Sequence, residues 1–352
     1  MILGATNGVG SDYNIGTAGE QFGNGCAVIK ALGPRATCFK GYCTPDHASA
    51  NYRLQTWPDG ITTLTELAQT TPFTTQFTDP WWTHIVLTVY TFANGSDPWW
   101  ISNLTQAKLL NDYNEAYAFV AHLLSTYSGS GKIFVLQRWE NDWTLMNGSS
   151  EGRLKYIPRE YVDRYAAYLG NLQRAVEDAR ASTAHTNVSV VNALECNLVV
   201  DRHEGRPRVI HEIAERMQPD WVSWSAYDGT INSETFTWGA SLALWAAHWE
   251  PIFRDGMRAL RAAFPGKPIY IGEVGFPENE VPVSWGADGV AEQIQYVHDW
   301  AQDEGAELFL YWNTFANDLD PSPPPTYRGL WLVDDNGNTT DAHAKMTELA
   351  NL

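Results

Sequence analysis

Residues 133–142 read Ile-Phe-Val-Leu-Gln-Arg-Trp-Glu-Asn-Asp. Four apolar residues in a row, with no helical spacing, describe a strand covered on both faces. The run then turns polar and aromatic at once, so the strand end presents Arg138, Trp139 and Glu140. Residues 269–276, Ile-Tyr-Ile-Gly-Glu-Val-Gly-Phe, repeat the pattern with Glu273 at the end. Working outward, runs of the same kind recur at 2–6, 36–42, 85–92, 188–194, 221–227 and 308–313. With 133–139 and 269–272 they make eight strands, several rich in Val, Ile, Tyr and Phe.

Helical patterns lie between them, at 25–32, 61–69, 103–127, 159–182, 209–217, 241–264, 289–304 and 340–352. Their limits carry start and stop signals: Pro158 before 159, Pro219 beyond 217, Pro265-Gly266 after 264 and Gly305 after 304. Buried strands alternating with helices predict an α/β fold with a parallel sheet. Eight repeats in 352 residues, with no linker or shift in composition, predict a single (β/α)8 TIM barrel forming one catalytic domain over 1–352. A doubly wound dinucleotide fold is disfavoured, because Gly4-Ala5-Thr6-Asn7-Gly8-Val9-Gly10 opens no helix with the required glycine spacing. Pro321-Ser322-Pro323-Pro324-Pro325 reads as a rigid loop after the last strand.

Composition sets the class. With 44% apolar and 18% charged residues the chain has ample material for a core. Lys plus Arg is 23 and Asp plus Glu is 41, a net charge of −18 that repels phosphate backbones and argues against nucleic acid as a partner. No run approaches the ~20 apolar residues of a membrane helix, so no membrane partner is expected. The opening Met1-Ile2-Leu3-Gly4-Ala5 has neither the basic nor the apolar region of a signal peptide. Cys26, Cys38 and Cys43 leave room for one local disulfide, but with Cys196 they form no disulfide framework. The 16 tryptophans exceed what a core requires. Most will pack inside; the rest offer flat apolar faces to sugar rings and an N–H to their hydroxyls.

In a barrel, chemistry collects at the C-terminal ends of the strands. Those ends read Arg138 to Trp143 on the fourth strand, Leu194-Glu195-Cys196-Asn197 on the fifth, Ser225-Ala226-Tyr227-Asp228 on the sixth and Tyr311-Trp312-Asn313 on the eighth. Glu140 and Glu273 stand out, since a buried carboxylate needs either partners or a role. Arg53 and Arg138 are the available cations. Two carboxylates across a barrel mouth can flank a glycosidic bond, one as proton donor and the other as nucleophile or base. Trp99-Trp100, Trp143, Trp238 and Trp285 fall in rim loops where stacked indoles would form sugar subsites, whereas Trp81-Trp82 reads as packing.

These residues resemble the clan A glycoside hydrolases, retaining (β/α)8 enzymes with an acid/base Glu after strand four and a nucleophile Glu after strand seven. Glu140 falls on the first position and Glu273, in Gly272-Glu273-Val274-Gly275, on the second. The resemblance implies that Tyr227 hydrogen-bonds the nucleophile and that Trp312 floors the sugar subsite. One residue departs from the pattern: the clan has Asn before the acid/base Glu, and here Trp139 stands there with Asn141 following. The role of that Asn, binding the sugar 2-hydroxyl, falls to Asn141, Asn197 or another group. The substrate-binding candidates are therefore Trp139, Asn141, Trp143, Asn197, Tyr227, Trp312, Trp99 and Trp285. The expectation is a retaining hydrolase of a β-linked poly- or oligosaccharide, a monomer that uses no cofactor and no catalytic metal, located outside the cell or in the periplasm.

Two rival readings use the same residues. Glu140, Glu195, Asp228 and Glu273 could instead form a ring of oxygen ligands for Mn²⁺ or Mg²⁺, as in a metal-dependent sugar isomerase or epimerase. A non-catalytic sugar-binding barrel would keep the tryptophans without needing the carboxylates. Zinc chemistry finds no His-Glu-x-x-His, and Cys196 reads as a small buried residue rather than a thiol nucleophile.

Overall fold

The computed structural model of the chain describes residues 1–8, 21–45, 60–94, 104–146, 157–201, 208–231, 241–285, 288–315, 319–320 and 326–352. Eight parallel strands close on themselves in sequence order. They are β1 (Ile2–Thr6), β2 (Cys38–Cys43), β3 (His84–Val89), β4 (Ile133–Gln137), β5 (Ser189–Cys196), β6 (Trp221–Ser225), β7 (Ile269–Val274) and β8 (Leu308–Tyr311). The last pairs with the first, Leu3 opposite Phe309. Outside lie α1 (Gln21–Leu32), α2 (Leu64–Ala68), α3 (Thr71–Thr78), α4 (Gln106–Thr126), α5 (Asn141–Leu145), α6 (Arg159–Ser182), α7 (Val209–Glu212), α8 (Leu242–Ala263), α9 (Gly289–Asp303) and α10 (Asp341–Ala350). The chain is thus the single (β/α)8 barrel that its alternation predicts.

Local chemistry explains most boundaries. Thr105, Ser241 and Thr340 cap α4, α8 and α10, each hydroxyl accepting from a backbone N–H three residues on. β4 ends at Gln137, two residues before the expected limit, because the chain turns sharply at Glu140 to begin α5. Helix α3, which apolar spacing alone does not reveal, starts with Pro72 in its first turn and buries Phe73 and Phe77. The threonines that mask it return their hydroxyls to the helix backbone, Thr74 to Thr70 O and Thr78 to Thr74 O. The pattern at 209–217 yields only the single turn α7, for which we have no physical account.

Two apolar layers result. Cys38, Val86, Val135, Val191, Ala193, Tyr270, Leu308 and Leu310 fill the barrel interior. A larger layer between strands and helices includes Phe39, Phe77, Trp82, Phe134, Trp224, Trp245 and Trp300. All four cysteines are buried and free. The local disulfide does not form: Cys38 faces the barrel interior, whereas Cys26 and Cys43 belong to the outer layer.

Trp224 shows how tightly that outer layer is filled. Its ring stacks on Phe253 with centroids 4.9 Å apart. A Cβ at Gly256 of α8 would lie 2.6 Å from Trp224 Cη2. Overpacking costs roughly 1–3 kcal/mol, more than the ~1 kcal/mol that alanine gains over glycine in a helix. Gly256→Ala is therefore expected to lower stability in urea denaturation. Gly170→Ala in α6 should raise it by about 0.5–1 kcal/mol, since a Cβ there meets nothing within 4 Å. A stabilising Gly256→Ala would contradict this account of the packing.

Candidate active site

Strand alternation delivers the side chains to the mouth. Val135 faces the interior, so Gln137 and Trp139 do too, while Arg138 points outward. Arg138 lies between the Tyr90 and Tyr168 rings and pairs with buried Asp112, Nη2 to Oδ1 2.8 Å. It holds neither candidate carboxylate, and Arg53 lies outside the described residues.

Past Trp139 the chain takes a left-handed conformation at Glu140, φ 52° and ψ 51°. A non-glycine residue there costs of the order of 1–2 kcal/mol and needs a surrounding structure that enforces it. The Glu140 carbonyl opens α5 by accepting from Thr144 N at 2.8 Å, and its N–H donates to Glu195 Oε2 at 3.1 Å.

β7 aims Glu273 by a different device. Tyr270 faces inward, and a Cβ on Gly272 would lie 1.9 Å from Ser223 Oγ, so Gly272 faces inward as well. Strict alternation would send Glu273 outward. Instead the register shifts on both sides of β7, between Ile271 and Val274 against β8 and at Ser225 against β6. Such irregularities re-aim side chains. The Glu273 carboxylate, 3% exposed as a residue, enters the mouth. There Oε1 accepts from Lys40 Nζ at 2.5 Å and from Trp139 Nε1 at 2.8 Å, and Oε2 has no partner among the described residues.

Lys40 of β2 is 0% exposed. Burial opposes its charge, but the carboxylates of Glu273, Glu195 and Glu140 outweigh burial and raise its pKa. Glu195 of β5, also 0% exposed, accepts from Gln137 Nε2 at 3.0 Å, from Asn197 Nδ2 at 3.3 Å and from the Ser225 hydroxyl, besides Glu140 N–H. Burial pushes its pKa up to about 7, against the opposing pull of Lys40.

Of the other sequence candidates, Trp312 is brought to the carboxylates. Its ring stacks on Trp139 at 6.0 Å and lies 6.0 Å from Lys40 Nζ, with Tyr42, Leu330 and Tyr227 packed about it. Tyr227 is half-buried in this cluster, and among the described residues Lys40 and Trp139 donate to Glu273. Asn141 is 0% exposed and turned into the wall: its Nδ2 donates to Glu195 O at 3.0 Å, and its Oδ1 accepts from Tyr165 at 2.6 Å. Asn197 spends its amide on Asp142 N–H and Glu195. Trp143 and Trp285 are half-buried and packed against the outer layer. Trp99, Trp100 and Trp238 lie outside the described residues.

Sequence reasoning did not single out Lys40, Gln137 or Ser225. For Lys40 a signal existed, because it is the one charge in the apolar run Ala36-Thr37-Cys38-Phe39-Lys40-Gly41-Tyr42. The ring of four metal-ligating carboxylates does not assemble. Asp228 is drawn away from the mouth by Val200 N–H at 2.7 Å and Trp224 Nε1 at 3.0 Å. Among the described residues no three His, Cys, Asp or Glu side chains are grouped to hold an ion.

No protein-family model and no curated protein matches the sequence. Solved structures match over 99% of the chain, and they are clan A glycoside hydrolases built on the eight-stranded barrel. A GH5_18 protein from Bifidobacterium longum subsp. infantis superposes with a TM-score of 0.55 at 14% identity, over 78% of its own chain. A GH5-4 broad specificity endoglucanase from Clostridium longisporum gives 0.53 at 15%, over 95% of its chain. The exo-β-1,4-mannosidase Op5Man5 from an Opitutaceae bacterium gives 0.57 at 13%, and there the chain spans only 59% of the length. The likeness is one of fold.

Burial raises the Asp228 pKa to about 8. A carboxyl raised in the folded state stabilises it fully below the unfolded value and loses that contribution as pH rises through the folded one. In Asp228→Asn an amide N–H would face one of the two donors, costing about 1–3 kcal/mol. The stability advantage of wild type over Asp228→Asn should therefore be largest near pH 5 and shrink toward pH 8 in thermal denaturation. An advantage independent of pH over that window would show that the folded carboxyl does not titrate there.

Proposed function

We propose that the chain is a glycoside hydrolase that cleaves a β-linked poly- or oligosaccharide by a retaining double displacement. Glu273 is the nucleophile and Glu140 the acid/base. The observation that carries this reading is the setting of Glu273. One oxygen is fixed by the Lys40 ammonium and the Trp139 indole, and the other has no partner among the described residues, at a barrel mouth lined by Trp139 and Trp312.

In the first step Glu273 Oε2 attacks the anomeric carbon, while Glu140 gives its proton to the departing glycosidic oxygen. Lys40 and Trp139 fix the nucleophile's other oxygen, so its position is set before substrate arrives. In the second step Glu140 takes a proton from water as the water oxygen displaces Glu273 from the sugar. The indole faces of Trp139 and Trp312 suit the C–H face of a sugar ring. With Trp139 in place of Asn, and Asn141 and Asn197 occupied in the wall, a 2-hydroxyl would be met by other groups than in the clan pattern. The polymeric substrate class favours a site of action outside the cell or in the periplasm. No step calls for a cofactor or a metal.

Reducing-sugar release from a panel of β-glucan, xylan, mannan and galactan, in excess EDTA, tests the reading. Glu140→Ala is expected to lose roughly 10²–10⁴ in rate, as removal of a general acid does. Glu273→Ala should lose more. Activity that survives either substitution would mean the residues are wrongly assigned, release of reducing sugar lost in EDTA would mean that hydrolysis needs a metal, and silence across the panel would favour the isomerase or the sugar-binding barrel.

A further inference from the structure

We infer that Glu195 is a positioning residue for the acid/base: through the Glu140 N–H its carboxylate holds the left-handed turn that sets where the Glu140 side chain points. The inference rests on the reading of Glu140 given above. Four donors converge on the buried Glu195 carboxylate. Gln137 Nε2 and Glu140 N reach Oε2 at 3.0 and 3.1 Å, and Asn197 Nδ2 at 3.3 Å and the Ser225 hydroxyl reach Oε1. They come from β4, the turn after it, the end of β5 and β6, so one side chain ties three strand ends together.

Of these bonds, the one to Glu140 does work that the others do not. A left-handed glutamate is unfavourable on its own, and its part-buried N–H needs an acceptor. An acceptor fixed in β5 offsets both penalties only while the turn keeps its shape. The next two residues are tied to the same strand end. Asn141 Nδ2 donates to Glu195 O at 3.0 Å, and Asp142 accepts from Asn197 N at 2.8 Å and Leu198 N at 3.2 Å. Those bonds place α5, and Thr144 N holds the Glu140 carbonyl at 2.8 Å; the Glu195 carboxylate is the acceptor that holds its N–H.

The task needs an acceptor, not a charge. Glutamine at 195 could offer its oxygen to Glu140 N–H while the Ser225 hydroxyl turns to accept from its amide, at the loss of the longer Asn197 contact. Alanine offers nothing. The test is to crystallise wild type, Glu195→Ala and Glu195→Gln and to measure each on aryl β-glycosides of glucose, xylose, mannose and galactose. The 4-nitrophenyl compounds depend more on protonation of the leaving oxygen than the 2,4-dinitrophenyl ones.

In Glu195→Ala, Glu140 is expected to leave the left-handed region. The 4-nitrophenyl rate should fall at least about tenfold, and the 2,4-dinitrophenyl rate much less. Glu195→Gln should restore both the turn and the rate. Should the alanine variant not fold, Glu195→Asp withdraws the carboxylate by one methylene and carries the same expectations. A turn that stays near φ 52° in the alanine or aspartate variant overturns the inference, as does an equal loss on both leaving groups. A turn that relaxes in a protein whose wild type cleaves none of these glycosides would support the restraint and overturn the glycosidase reading instead.

Discussion

Lys40 and Glu273 form an ion pair with almost no access to water, and the arrangement of the barrel mouth depends on it. Either charge alone in that position would be expensive; together, at 2.5 Å and with the Trp139 indole as a further donor, they are tolerated. The pair reaches across the lumen from β2 to β7, strands separated by β1 and β8, so it forms only because the sheet closes. It also explains why β7 breaks register beside Gly272. Without that shift the carboxylate would face the helices, and the lysine would be left with the more distant charges of Glu195 and Glu140.

Around this pair the mouth is built by delegation. Trp139 binds the Glu273 carboxylate with its N–H and stacks its face on Trp312, so one side chain joins the carboxylate to the aromatic surface. Tyr90 in turn holds the Trp139 backbone, donating to its carbonyl and accepting from its N–H, both at 3.1 Å. Glu195 does the same service for Glu140, and Gln137 links Glu195 to Tyr270 deeper in the barrel. The two carboxylates are thus held by side chains on or directly after the strand ends, the condition under which fixed dipoles act without reorganisation.

The barrel itself was legible because its strands are apolar throughout, and burial on both faces leaves that mark on any sequence. Glu140 and Glu273 were legible for the converse reason: a carboxylate directly after such a strand is conspicuous. What stayed hidden depends on direction. Period-two alternation cannot announce a register shift, so the inward turn of Glu273 rests on Gly272 and the neighbouring strands. Nor can it tell that Asn141 and Asn197 turn into the wall, or that Arg138 lies outside while Lys40 lies within. Lys40 was visible as a lone cation in an apolar strand, but its partner is 233 residues away, beyond the reach of local pattern.

The central claim is that Glu273 bonds to the anomeric carbon. Incubation with 2,4-dinitrophenyl 2-deoxy-2-fluoro-β-glycosides of glucose, mannose, galactose and xylose, followed by mass spectrometry of the intact protein and of its peptides, examines that bond directly. The account requires a mass increase of one fluorosugar, carried by the peptide that contains Glu273 and absent from Glu273→Ala. A label on Glu140 or Glu195, or turnover of substrate with no trapped sugar on Glu273, would contradict it.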